Sequence, residues 1–396
     1  MDDFHQQGLY QEALDTQYLA LKVLNLTPPS ELENLDAQIV NEITLIDTYL
    51  AQYTIDSLYD SNDLEDEQIL LLLDILTSLW ITAYLLSDED VVQWASVKMC
   101  SLCLEHGRCE QSAFAYILYG FVCVNRLNEF KKADEFGKVA LKIADNYPNL
   151  ALRGKVYFMY GLTICHWSNH LSFSTKSFRQ SYQFSCQAGD WTYASYAAVN
   201  IISNLIIEGL PCDDVLSEAN KYLSFLKEKN EESTKSFFIP GAYVPLLHLM
   251  DKCDNHNSFD CDVFNEQEHQ LYAKDSPIIQ AWYYYAKIRA LYLIGLYDEA
   301  LAIIDHIHII PMGVPGQIKT PEAYFYSCLV LLAKPETYLG SGKYQDMFKH
   351  MFERLKTWSN SCKDNFLHKA KIVEAELASL KNQPFYEVFD LYHQAI

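Results

Sequence analysis

The chain has 396 residues, half of them hydrophobic, with 52 acidic and 30 basic side chains and a formal net charge of −22. Nucleic-acid binding needs a basic surface that displaces counterions from phosphates, so this composition argues against nucleic acid and anionic membrane surfaces as partners. The length exceeds what one hydrophobic core usually organises, which predicts several domains or an elongated repeat array. The chain holds only 14 glycines and 12 prolines, too few for the many tight turns of an all-β protein, so helices are favoured.

The first predicted element opens with the phrase GLYQEAL at 8–14. Gly8 is a helix breaker, Tyr10 an aromatic, and Ala13 and Ala20 are small residues at helical spacing. This order is the pattern of one hairpin of a tetratricopeptide-like repeat. Because so few residues precede Gly8, we expect the first repeat to be truncated.

An apolar run covers 69–86 and raises the question of a membrane span. The run is near the minimum length for a span, contains Asp74, lacks aromatic and basic anchors at both edges, and is followed at once by acidic residues. It predicts a buried helix and no membrane span.

Cysteine and histidine recur at three-residue steps in Cys100, Cys103, His106 and Cys109. On one helix each such step rotates the side chain, so the four fan around half the circumference and cannot converge on a tetrahedral ion unless the helix breaks at Gly107. Buried free thiols are therefore predicted, and a metal site or a redox pair of Cys100 with Cys103 stays as an alternative. The 11 cysteines form no framework and no signal peptide precedes them, which favours a reducing, cytoplasmic setting.

Amphipathic patterns predict pairs of helices along the middle of the chain. The pairs are Val91–His106 with Ser112–Arg126, Arg153–His166 with Thr175–Gln187, and Thr192–Glu208 with Val215–Lys229. A second copy of the repeat pattern stands after Asn128, with Phe130, Ala133 and Ala140 in the aromatic and small positions.

Two segments interrupt the helical pattern. The acidic stretch 251–277 predicts a long loop or insertion, and its Cys253, His256, Cys261 and His269 have no standard zinc-finger spacing. The stretch 311–321 predicts an inter-helix loop. Its GVPGQIKT sequence only superficially resembles a phosphate-binding loop, since glycine is missing before the lysine and Pro315 has no N–H.

The phrase returns as GLYDEAL at 295–301, where Gly295 ends one predicted helix, Tyr297 is the aromatic and Ala300 is the small residue that lets two helices approach. In this copy the second small position is occupied by a larger residue, Ile307. A weaker match, Tyr386, Val388 and Ala395, stops at the end of the chain, so the last repeat is also expected to be truncated.

Four helical stretches carry a resemblance to a region of known proteins and appear in the same order as they do there. They are SAFAYILYG (112–120), KVYFMYGLTICHW (155–167), AGDWTYASYAAVN (188–200) and NFLHKAKIVEAELA (365–378). From about Val91 onward the chain resembles the helical-repeat region of large multidomain signalling proteins. That resemblance implies a kinase-like module and an ATPase module of the STAND type before this region, and a GAF domain and often a histidine kinase after it.

The preferred hypothesis is an all-α, tetratricopeptide-like array of antiparallel helix hairpins, an α-α solenoid, over 1–250 and 278–396. It would be a non-catalytic module without cofactor, metal or catalytic residues, and it would bind a protein partner or a neighbouring domain. By the resemblance, it would gate the attached modules. The alternatives are a free-standing scaffold or peptide receptor, and a cysteine-based redox or metal sensor.

Overall fold

The computed structural model describes residues 9–253 and 258–396, and within them it contains helices and no β-strand. The predicted all-α class is therefore confirmed. The chain divides into two units, Met1–Tyr160 and Gly161–Ile396. Gly8 and His256, which the sequence singled out, lie outside the described residues.

The first unit is built from helices joined by short connections. Its α-helices are α1 (Tyr10–Val23), α2 (Leu35–Leu50), α3 (Glu67–Leu85), α4 (Glu89–His106), α5 (Ser112–Val122), α6 (Phe130–Asn146) and α7 (Leu150–Met159). Between them lie 3₁₀ turns at Pro29–Glu31 and Asp56–Asp60 and a π-helical turn at Cys123–Leu127.

The second unit continues in the same style. Its longer α-helices are α8 (Leu171–Ala188), α9 (Trp191–Ile207), α10 (Cys212–Glu228), α14 (Pro277–Leu293), α17 (Lys319–Ala333), α19 (Gly342–Ser361), α20 (Lys363–Leu380) and α21 (Phe385–Ala395). The shorter ones are α11 (Glu232–Phe238), α12 (Val244–Leu249), α13 (Glu266–Ala273), α15 (Tyr297–Ile304), α16 (Ile309–Gly313) and α18 (Pro335–Gly340). A π-helical turn at Tyr160–Ile164 and a 3₁₀ turn at Cys165–Trp167 precede α8, and a π-helical turn at Ile239–Tyr243 precedes α12.

Several helices begin where a polar side chain accepts the free amide N–H groups of the first turn. The Asp66 carboxylate accepts from the amides of Gln68 and Ile69 at the start of α3. Asp88 and Asp190 cap α4 and α9 in the same way. Each of these three helices therefore starts at an aspartate that can be recognised in the sequence.

Helices of the first unit pack on their chain neighbours and on the next helix but one. Helix α5 packs on α4 and α6, and α2 packs on α4. All residues of α5 from Ser112 to Val122 are buried. Its Tyr116 and Tyr119 rings lie 5.8 and 4.9 Å from the ring of Phe136 on α6. Helix α5 is thus the centre of this core.

Among the described residues, α3 is the helix long and apolar enough to cross a membrane, judged by length and composition alone. Its Leu73, Leu76 and Leu79 side chains are fully buried inside the first unit. The Trp80 indole N–H donates to Ser96 Oγ on α4 over 3.0 Å. These contacts are those of a core helix, as the sequence predicted, and a single helix of this kind is weak evidence for a span.

The two ends of the second unit meet. The Trp167 ring lies 5.5 Å from Trp358 on α19 and 5.4 Å from Phe366 on α20. In a strictly linear repeat array each repeat contacts only its neighbours. The second unit departs from that expectation, because its first residues pack against helices near its C-terminal end.

The structure contains more helix than predicted in the two segments predicted as loops. Helix α13 lies inside 251–277, and Phe259 packs in a buried cluster with Val244, Tyr283 and Ala290. The predicted loop over 311–321 is shorter than expected, since α16 ends at Gly313 and α17 already begins at Lys319. Gly313 approaches α14 so closely that a Cβ there would lie 2.1 Å from the Pro277 carbonyl oxygen.

Candidate functional site

The residues proposed to define the repeats occupy different environments in the first unit. Ala13, Ala133 and Ala140 are fully buried and Phe130 is buried at the start of α6. Tyr10 and Ala20 of the first copy are only partly buried. The second copy therefore has the packing expected of a repeat hairpin, and the first has it only at Ala13.

The later copy forms a turn between α14 and α15. Gly295 has a φ of +82°, and the Leu296 amide donates to the Leu291 carbonyl over 2.9 Å, as in a Schellman motif. Tyr297 opens α15 and is partly buried, and Ala300 is fully buried. GLYDEAL is thus the turn and the start of the second helix of a hairpin.

An aromatic face is exposed on α21. The side chains of Phe385, Tyr386 and Phe389 are 82%, 70% and 60% exposed, and the rings of Phe385 and Phe389 lie 6.0 Å apart. Two turns after Phe385, the Tyr392 hydroxyl donates to Glu376 of α20 over 2.6 Å. Helix α21 is therefore anchored to α20 while it presents apolar rings to solvent.

The lysine of the phosphate-loop-like sequence is buried. Lys319 Nζ donates to Asn200 Oδ1 over 2.9 Å and to Gln317 Oε1 over 3.1 Å. It also lies 3.8 Å from the centre of the Trp282 ring. This ammonium group is committed to the protein interior, so GVPGQIKT has no lysine available for a phosphate.

Two opposing effects act on Lys319. Its two oxygen partners and the face of the Trp282 ring favour the charged ammonium. Burial acts in the opposite direction and lowers the pKa of Lys319 well below its usual value. No carboxylate is among its hydrogen-bond partners, and burial is the stronger effect.

His166 lies beside this lysine and is also fully buried. Burial, together with the charge of Lys319, lowers the pKa of His166 to about 3. The carbonyls of Gly316 and Gly161 are near the ring and favour its charged form, but neither ring nitrogen has a hydrogen bond of standard geometry. His166 is therefore a neutral packing residue at physiological pH.

His368 and Lys369 lie in the stretch NFLHKAKIVEAELA. Lys369 forms a buried ion pair with Glu322, with Nζ 2.9 Å from Oε1. Burial lowers the pKa of His368 to about 4, and the adjacent Lys369 charge acts in the same direction. The sequence predicted neither this buried ion pair nor the contacts of Lys319 and His166.

A second group missed by the sequence analysis lies near α13. A cavity of about 230 Å³ is lined by residues that include His269, Tyr283, Tyr284 and His306. Lys287 contacts Glu266 and donates to the Tyr283 hydroxyl over 3.0 Å. The lysine and the glutamate neutralise each other, and no signal in the sequence relates the two helices that carry them.

Cys100, Cys103 and Cys109 of the first unit are buried free thiols, as predicted, but the two that interact are not the pair named as an alternative. Cys100 and Cys103 are buried on α4, whereas His106 is exposed at the end of that helix. Helix α4 ends just before Gly107, and the chain then turns back so that the Cys109 thiol interacts with the Cys103 thiol. The pair that the structure brings together is therefore Cys103 and Cys109, not Cys100 and Cys103.

The two thiols of this pair differ in acidity. The hydrogen bond from Cys103 lowers the pKa of the Cys109 thiol to about 6, assisted by Ser112 and the backbone amides of Ser112 and Gln111. The same contact, together with burial, raises the pKa of Cys103 well above its usual value. The contact thus favours the thiolate form of Cys109 and the thiol form of Cys103.

Within the described ranges 9–253 and 258–396, no three His, Cys, Asp or Glu side chains are grouped so that they could hold a metal ion. Cys253, Cys261 and His269 of the acidic stretch lie in this part of the chain, whereas His256 does not.

No protein-family model matches the chain. A stretch of 145 residues, 36% of the chain, is 28% identical to hybrid signal transduction histidine kinase G of Dictyostelium discoideum. The match covers 4% of that protein's length.

This weak homology places the chain in the context of signalling kinases. It agrees with the resemblance derived from the four helical stretches, which also indicated a multidomain signalling protein. Identity of 28% assigns no role to individual side chains, so those roles have to be argued from the structure.

Proposed function

We propose that the chain is a non-catalytic regulatory module of a multidomain signal-transduction protein, and that it acts by binding a protein partner or a neighbouring domain. The observation that carries the proposal is the 145-residue similarity to a hybrid signal transduction histidine kinase. A regulatory module biases the activity of attached domains through different affinities for their active and inactive states. In this proposal the module works in the cytoplasm.

The packing of the helices supports a tetratricopeptide-like array as the basis of this role. In the first unit, helix α4 packs on α3 and α5, its neighbours in the chain, and on α2, the next helix but one. Contacts with the adjacent helix and with the next but one are typical of stacked helix hairpins. The buried small residues Ala133 and Ala300 lie where such hairpins require close approach.

We assign the exposed aromatic face of α21 as the contact surface. Phe385, Tyr386 and Phe389 form a continuous apolar stripe, and such anchors dominate the energetics of helix-in-groove recognition. The net charge of −22 adds a preference for a partner with a basic rim.

The test uses the native polypeptide that contains this chain. The double substitution Phe385→Ser and Phe389→Ser removes the stripe, and Phe173→Ser on α8, where the ring is 57% exposed, is the matched control. Autophosphorylation is measured with labelled ATP for the wild type and both variants. We expect the double variant to change the rate by about five-fold or more, in the range of allosteric couplings, and the control to leave it unchanged.

Equal rates in all three proteins would contradict the assignment of α21. Mass spectrometry establishes the full length of the native product, and the same assay measures its activity. A native product without kinase or ATPase activity would contradict the regulatory role. That result would favour the free-standing scaffold or peptide receptor instead.

A further inference from the structure

The Cys103–Cys109 pair is held by a local structure that the repeat pattern does not require. After α4 the segment 107–109 pairs with 62–64, with the Arg108 amide donating to the Asn62 carbonyl and the Leu64 amide donating to the Arg108 carbonyl, each over 2.7 Å. Gly107 has a φ of +110°, and a Cβ there would lie 2.4 Å from the Asn62 carbonyl oxygen. Only glycine permits this close return of the chain.

Polar groups converge on the Cys109 sulfur. Ser112 Oγ lies 3.5 Å from Sγ, and the Cys109 amide donates to the same Oγ over 2.9 Å. The amides of Gln111 and Ser112, at the start of α5, also face the sulfur. Amides at a helix start together with a donating thiol stabilise negative charge on sulfur, and thiolates are the reactive form of cysteine.

Cys109 also lines a surface cavity of about 450 Å³ in the first unit, together with Asp63, Arg108 and Tyr147. Arg108 is directed away from the sulfur, since its guanidinium donates to Asp63 over 2.9 Å and contacts the Tyr59 carbonyl. The cavity is large enough to admit a small oxidant. Cys103, on the inner side, is only 1% exposed.

We propose that Cys109 is an oxidisable thiol and that Cys103 is its resolving partner, so that hydroperoxides convert the pair into an intramolecular disulfide. The proposal concerns a modification site of the first unit and does not depend on the proposed regulatory role. It differs from the sequence-based hypothesis, which paired Cys100 with Cys103.

The reaction has two balanced steps. The Cys109 thiolate attacks the outer oxygen of a hydroperoxide, an S–O bond forms, the O–O bond breaks, and the alkoxide or hydroxide that leaves takes up a proton. The Cys103 sulfur then attacks the Cys109 sulfenic acid, the S–S bond forms, and the S–O bond breaks with release of water. The two sulfurs lose two electrons in total, and the hydroperoxide is reduced to an alcohol or to water.

The experiment treats the full reduced chain with hydrogen peroxide and identifies the products by peptide mass spectrometry. In the wild type we expect a Cys103–Cys109 disulfide, seen as the loss of two hydrogens across the joined peptides. In Cys103→Ser we expect the sulfenic acid of Cys109 to accumulate and to be trapped by dimedone. Cys123→Ser, a change at another buried cysteine of this core, is the control and should give the wild-type product.

A pH profile of alkylation provides a measurement on the reduced protein. Because the Cys109 pKa is lowered to about 6, its alkylation rate should reach half of its maximum near that pH, below the roughly 8.5 of an unperturbed cysteine thiol. Cys103→Ala removes the donating thiol, and the Cys109 midpoint should then move upward.

Peroxide that oxidises Cys212 or Cys186 and leaves Cys103 and Cys109 as free thiols would overturn the proposal. A Cys109 midpoint at or above the roughly 8.5 of an unperturbed cysteine thiol, in wild-type protein with an unchanged circular dichroism spectrum, would do the same. Both observations use the wild type, so they stand even if a cysteine variant fails to fold.

Discussion

Asn365 and His166, 199 residues apart in sequence, are joined in the second unit by a buried hydrogen bond of 2.7 Å from the Asn365 side-chain amide to the His166 carbonyl. The same amide donates to the Asn169 carbonyl over 2.8 Å, and its oxygen accepts from the Leu171 amide over 2.9 Å. One side chain thus satisfies three backbone groups at the beginning of the unit from the first turn of α20.

Asn365→Ala is expected to destabilise the second unit by about 2–5 kcal/mol, because it leaves buried backbone groups without partners. Asn360→Ala on α19, at an exposed position, is the control and should change the free energy of unfolding by less than about 0.5 kcal/mol. Chemical denaturation of the full chain measures both. Equal stabilities for the two variants would show that the three bonds do not hold the ends of the unit together.

Lys319→Met is expected to change how stability depends on pH. In the unfolded chain a lysine is charged below about pH 10.4, whereas burial lowers the pKa of Lys319 in the folded chain. The folded state therefore binds fewer protons between the two pKa values, and wild-type stability rises with pH in that window. Relative to the variant, the wild type should gain up to about 1.4 kcal/mol per pH unit from pH 7 to 9.

Unfolding free energies at three pH values measure this slope, and Lys221→Met at an exposed position on α10 is the control. The control should have the wild-type slope. A constant difference between wild type and Lys319→Met over the same range would mean that the ammonium stays charged in the folded protein.

The ion pair of Glu322 and Lys369 is expected to be costly to break and much less costly to replace. Glu322→Gln or Lys369→Met alone leaves one buried charge without its partner, which should cost about 3–5 kcal/mol. The double variant Glu322→Leu with Lys369→Met should lose clearly less than the sum of the single losses. Glu353→Gln, in the exposed pair Lys356–Glu353, should cost less than about 1 kcal/mol. Additive single effects would argue against a coupled buried pair.

Gly295→Ala tests the turn in the repeated phrase. A Cβ at Gly295 would meet no atom, so the cost comes from the positive φ alone and should be about 1 kcal/mol. Gly340→Ala, where a Cβ is equally unobstructed and φ is not positive, should be neutral or slightly stabilising. Thermal melting separates the two, and an equal loss in both variants would exclude the left-handed turn as the cause.

Local signals in the sequence predicted several helices to within a few residues. Asp88 and Asp190 cap α4 and α9, so the predictions Val91–His106 and Thr192–Glu208 begin within three residues of the observed starts. In contrast, the predicted helix Arg153–His166 is replaced by α7, a π-helical turn and a 3₁₀ turn. The apolar pattern there is continuous, and nothing in it indicates that the hydrogen bonding changes from α-helical to π-helical and 3₁₀-helical.

Contacts between distant residues could not be predicted. Lys319 and Asn200 are 119 residues apart, and neither lies in a sequence pattern that identifies the other as its partner. The Cys103–Cys109 contact was missed for a related reason. Regular helix geometry places Cys109 away from Cys103, and the chain returns only because Gly107 adopts a backbone conformation that ends the helix.

The π-helical turns at Cys123–Leu127 and Ile239–Tyr243 have a consequence for the history of the chain. A π turn is a helix that has accepted one extra residue without unravelling, and the residues after it are rotated by about 100° relative to those before it. A chain that absorbs single-residue insertions in this way loses a fixed repeat period while it keeps its packing. Single-residue insertions of this kind do not by themselves bring the gaps of 120 and 167 residues between Ala13, Ala133 and Ala300 to multiples of one repeat length, so helices and connections of unequal length also contribute.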